Sequence, residues 1–96
     1  MPPILNLIWN SWNIDHIARH EVTPEEVEEV CFGDHVFQDG KSGRLLVFGP
    51  TRKERMLTVV LALTATAGVY HVVTARPASR PERRVYAAEK SGGETP

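Results

Sequence analysis

Between Val69 and Tyr86 the chain reads VYHVVTARPASRPERRVY, which sets Arg76, Arg80, Glu82, Arg83, Arg84 and Tyr86 within eleven residues. Arginine stays protonated and grips phosphate through a planar fork of donors, so four of them together suit an anionic ligand. They suit proton transfer poorly. Glu82 is the carboxylate beside them, a candidate base or aligner of Arg83. Tyr86 lies three residues beyond Arg83 on the same helix face, where a phenol can stack on a planar ring or donate a proton. Arg52, Lys53 and Arg55 precede a long apolar strand and would reach the same ligand if their loop folds over the sheet. Each residue also has a plainer reading. The arginines can be a solvated helix face paired with Glu82 and Glu89, Glu82 a helix cap, and Tyr86 a packing anchor. Arg80 and Arg84, however, form a like-charged i, i+4 pair, which costs a few tenths of a kcal/mol and gives a purely structural helix nothing.

The charge of the whole chain hides this concentration. Net charge is -1 and the pI is near 6.4, yet residues 1–48 carry eight acidic side chains against three basic ones. Residues 49–96 carry eight basic against four acidic. Such asymmetry points to an anion on one face.

Other chemistry is thinner. His16 and His20 stand at i, i+4, a zinc-site spacing, but no Glu follows His16 and the single cysteine cannot complete a ligand set. His20 reads as a structural histidine at a helix end, with a general acid or base role as the alternative. His71 points opposite Tyr70 and Val72 and reads as structural. Cys31, among Val27, Val30 and Phe32, reads as a buried filler. There is no Gly-rich phosphate loop, nucleophile elbow or metal cluster, so neither cofactor nor metal is expected.

With 96 residues and 42% hydrophobic content, one domain over residues 1–90 is expected, followed by a disordered tail at 91–96. A lone cysteine excludes an internal disulfide and fits the cytoplasm. The N-terminus lacks the basic region of a signal peptide. The longest apolar stretch, residues 56–73, is broken by Thr58, Thr64, Thr66, Gly68 and His71, so it is no membrane span.

The elements that must position the arginines follow from pattern. Residues 4–9 suit a short strand. Residues 13–20 place Ile14, Ile17 and Ala18 on one helix face. Thr23, Pro24 and Glu26 spell a capping box opening a second helix, with Val27, Val30 and Cys31 inward and Gly33 ending it. Residues 36–38 and 44–48 flank a turn at 39–43. In 56–64, Leu57, Val59, Leu61 and Leu63 make the core face, and a turn at 64–68 leads to a strand at 69–75. Ser79 with Glu82 three residues on is a second capping box, opening a helix to about residue 90. The order predicts an α+β fold: two N-terminal helices, an antiparallel meander of three to four strands and a C-terminal helix.

Over about residues 9–86 the chain resembles the BrnT-type toxins, bacterial proteins with a RelE-like ribonuclease fold. The resemblance rests on the Arg19-His20 step, Val22 to Glu26, and Thr74 to Arg76 followed by Glu82 to Tyr86. Glu21 and Pro24 depart from it, standing where that family usually has Gly and an aromatic. The resemblance implies an RNA-cleaving toxin of a type II toxin-antitoxin system, neutralised by a ribbon-helix-helix antitoxin. The leading reading places catalysis at Arg76, Arg83 and Tyr86, with Glu82, His20 (which matches the family's histidine) and Arg55 as secondary candidates, and RNA contacts at Arg52, Lys53, Arg55, Arg80 and Arg84. A homo-oligomer is compatible with the sequence. The competing reading is a non-catalytic interaction module of the same fold, binding an acidic partner or nucleic acid.

Overall fold

The structure, a computed structural model, describes residues 3–92. Its elements are β1 (Asn6–Ile8), α1 (Ser11–Ala18), α2 (Pro24–Phe32), β2 (Val36–Asp39), β3 (Arg44–Pro50), β4 (Met56–Leu63), β5 (Val69–Pro77) and α3 (Arg80–Gly92). This is the expected α+β order. Strands β2 to β5 form the antiparallel meander, and β1 adds a parallel edge beside β5, giving the order β1-β5-β4-β3-β2. β1 is held in register by the Leu5 and Asn6 amides, which both donate to the Gly68 carbonyl. Gly68 takes φ +82°, and a Cβ there would sit 2.8 Å from Leu5, so glycine alone fits this approach. No helix among the described residues is long and apolar enough to cross a membrane.

Capping chemistry sets the helix starts. The Thr23–Glu26 box opens α2 as expected, each residue satisfying the other's amide. α1 begins earlier than predicted because Asn10 and Asn13 exchange side-chain and backbone bonds at 2.9 and 3.0 Å. That box turns Asn13 inward, where its amide donates to the Ile8 carbonyl at 2.8 Å. The buried stripe of α1 is therefore Asn13 and Ile17, while Ile14 and Ala18 face outward, against the predicted stripe. At the other end of the chain, Ser91 and Gly92 continue α3 where a disordered tail was expected. The rest of that tail lies outside the described residues.

Two layers cover the sheet. α1 and α2 pack on one face, and their Ile17, Val27, Val30 and Cys31 join Leu45, Val47, Leu57, Val59, Leu61, Tyr70, Val72 and Ala75 in the main core. Leu63, predicted to belong there, is 66% exposed at the last position of β4. The other face carries a cross-strand row, Val36–Phe48–Thr58–Arg76, whose members are register partners in successive strands. α3 lies across this row. Its Glu82 meets Thr58 and its Tyr86 and Lys90 meet Asp34, just before β2, so the helix crosses the strands rather than following them.

One irregularity aims the site. Tyr70 and Val72 face the main core, and strict alternation would send Arg76 inward after them. The register slips between Val60 and Leu61: Leu61 pairs with Val72 and Val60 with Thr74, leaving Val73 unpaired. This bulge flips the parity, so Ala75 enters the core and Arg76 turns to the α3 face.

Candidate functional site

Glu82 is the hub of the α3 layer. As the third residue of α3 it closes the expected capping box, accepting from the Ser79 amide at 2.8 Å while its own amide donates to Ser79 Oγ at 3.3 Å. The same carboxylate accepts both terminal nitrogens of Arg76, at 2.7 and 2.8 Å, and the Thr58 hydroxyl at 2.8 Å. Arg76 is the largest cause, with Ser79 and Thr58 adding to it, and together they outweigh partial burial and hold the carboxyl down at about 2. The Arg76 guanidinium is in turn stabilised in its charged form by Glu82. An acid this strong is a poor proton acceptor near neutrality, so Glu82 does not suit the role of base. It orients Arg76, and not Arg83 as the sequence suggested. A guanidinium held by its two terminal nitrogens still presents further N–H donors.

Arg83 donates to the Ala78 carbonyl at 2.8 Å from one nitrogen and is otherwise exposed, as are Arg80 and Arg84. All three rise from the first turns of α3, within eight residues of Arg76 in sequence; Arg80 and Arg84, two residues either side of Glu82, lie on the helix face opposite it. Tyr86 is committed elsewhere: its hydroxyl donates to Asp34 Oδ2 at 3.0 Å, and Lys90 also reaches Asp34. Burial, then the Asp34 contact, pushes the phenol above its usual range, while Lys90 and Tyr86 hold Asp34 low. Tyr86 thus pins α3 to the sheet, its plainer reading, and is a weak proton donor.

The loop between β3 and β4 divides the remaining candidates. Arg52 and Lys53 are exposed, and the Arg52 amide donates to Glu29 at 3.0 Å. Arg55, expected to bind RNA, is taken by the α1–α2 corner: it donates to Glu26 at 3.1 and 3.2 Å and to the carbonyls of Glu21 and His20 at 2.7 and 3.2 Å. That corner lies at the same end of the sheet as Arg76 but on the opposite layer. His20 belongs to this corner and does not share the α3 face.

Among the residues that sequence reasoning missed, Thr58 fixes Glu82 and Asp34 fixes Tyr86. Thr58 carried a signal, being the polar break on the outer face of an otherwise apolar strand. Asp34 carried none. His16 stacks on Trp12 with ring centres 4.9 Å apart and meets His20 edge-on at 6.5 Å. Among the described residues no group of three His, Cys, Asp or Glu is placed to hold a metal ion. Cys31 is buried, and burial, then Glu28, pushes its thiol up to about 12, which leaves it inert.

No protein-family model matches the chain, and no curated protein matches it. Among solved structures it is similar to the Brucella abortus ribonuclease toxin BrnT, with a TM-score of 0.63 at 19% identity. The match covers 79% of this chain and 99% of that one. With its three helices, meander and C-terminal α3 layer, this chain has a BrnT-like fold.

Proposed function

We propose that the chain is a metal-independent RNA endonuclease acting as the toxin of a type II toxin-antitoxin system. The observation that carries this reading is Arg76, turned to the α3 face by a bulge and held by two bonds to Glu82, on a helix that also carries the exposed Arg80, Arg83 and Arg84. RNA cleavage needs the 2'-hydroxyl aligned on its phosphate, positive charge on the developing negative charge, and a proton path to the leaving oxygen. An oriented arginine beside a less constrained one serves the first two needs. Charge stabilisation by fixed donors is usually the largest single contribution to such catalysis, and water meets the third need, taking the 2'-hydroxyl proton as the P–O bond forms and protonating the leaving 5'-oxygen. The likeness to a ribonuclease toxin supports the same reading at the level of fold. The partner that fits it is a ribbon-helix-helix antitoxin covering the basic face in the cytoplasm.

One observation favours a second reading, a non-catalytic module that binds RNA or an acidic partner. Glu82 is held too acidic to serve as a base, and the Tyr86 hydroxyl is directed to Asp34 and not to Arg76. Expression in a bacterium separates the two. The nuclease reading expects growth arrest from the native chain and relief from Arg83→Ala at equal soluble protein. Normal growth with the native chain, together with intact cellular RNA, decides for the module.

A further inference from the structure

Because α3 runs across the strands, it leaves much of its own sheet face open. The next row along that face is Gln38–Leu46–Val60–Thr74, again register partners in successive strands, and the row after it contains Arg44 and Ala62. Leu46 and Val60 are half-buried and floor an open cavity of about 680 Å³. Its far wall is the tip of the β2–β3 hairpin, Asp39 to Ser42, with Arg44 beside it. Lys41 and Arg44 are both exposed, and among the described residues neither forms an ion pair. Asp39 also lines the wall, so the three side chains leave one net positive charge.

We propose that Lys41 and Arg44 form a second phosphate subsite, joined to the Arg76 cluster by an apolar floor on which the intervening nucleotides of a single RNA strand lie. This rests on the RNA reading of the α3 face and extends it to a length requirement. Arg44 stands two strands across and four residues along from Arg76, a separation of about 16 Å at ordinary strand spacing and rise. An extended single strand covers that distance in a few nucleotides. A dinucleotide held at Arg76 does not reach. Phosphates take the two cationic ends, and the half-buried Leu46 and Val60 offer apolar surface to base faces.

The test uses the full chain and RNA with 2'-O-methyl sugars, which cannot be cut through the 2'-oxygen, in lengths of two and six nucleotides. Binding is followed by fluorescence anisotropy across a salt series, comparing the native chain with the Lys41→Ala/Arg44→Ala double variant. Both positions are exposed, so the variant keeps its fold, which circular dichroism checks. The expected result is about a tenfold loss of affinity for the six-mer, no change for the two-mer, and a six-mer salt slope shallower by roughly 0.7 for each phosphate the variant no longer neutralises. Equal six-mer affinity for both proteins, or an equal loss for both lengths, overturns the subsite and leaves the Arg76 cluster standing. Failure of the native chain to bind either RNA overturns the RNA reading itself.

Discussion

At the scale of single residues, the pairing of Glu82 with Arg76 makes a specific demand on pH. Its carboxyl lies at about 2 in the folded chain against an ordinary 4.5, with Arg76 the main cause. A carboxyl lowered on folding stabilises the native state above its unfolded value and loses that contribution as pH falls through the folded one. The thermal midpoint of the native chain should therefore fall between about pH 4.5 and 2, and Glu82→Gln should flatten part of that fall. Parallel curves from the two proteins in a circular dichroism series would show that the pair does not stabilise the fold. The local part of this arrangement was legible: Ser79 and Glu82 are three residues apart, and a capping box needs nothing more. The Arg76 contact was not, because it depends on which face a strand residue takes.

At the scale of elements, Arg55 marks the same boundary between local and non-local information. In sequence it is one of three cations in a loop, Arg52, Lys53 and Arg55, with nothing to distinguish it. In the structure its side chain ties that loop to the α1–α2 corner through Glu26 and two carbonyls, while the Arg52 amide meets Glu29 farther along α2. Arg55→Ala is expected to cost about 1–2 kcal/mol of stability, since it frees Glu26 and two carbonyls at once, yet to leave RNA affinity unchanged. Urea unfolding and anisotropy titration measure the two effects separately, and weaker RNA binding by a well-folded variant would return Arg55 to the ligand face. α2 was readable because its cap, first-turn proline and terminal glycine all agree. α1 was misplaced because its cap is a pair of asparagines, which the apolar period of Ile14 and Ile17 obscured. The Val73 bulge could not be foreseen, for TAR reads equally well in a regular strand. The close passage of β3 under the α2–β2 turn was equally hidden, although a Cβ on Gly49 would lie 2.6 Å from the Asp34 carbonyl.

At the scale of the whole molecule, the order of elements and the antiparallel meander followed from periodicity and turn chemistry. The parallel β1 edge and the split into two layers did not. The charge asymmetry of the chain becomes spatial once the layers form: glutamates of α2 sit on one side, and Arg76 with the arginines of α3 on the other. His20 was drawn into the site by resemblance and leaves it by topology. The function proposed above then rests on oriented arginines that cut RNA on the α3 face without a metal. Its most direct test is incubation of purified chain with single-stranded RNA in excess EDTA, with the products resolved by mass. Fragments ending in a 2',3'-cyclic phosphate are expected from the native chain and are expected to vanish in both Arg76→Ala and Arg83→Ala. RNA left intact by a chain that binds it, or cleavage that persists in both variants, would contradict the proposal.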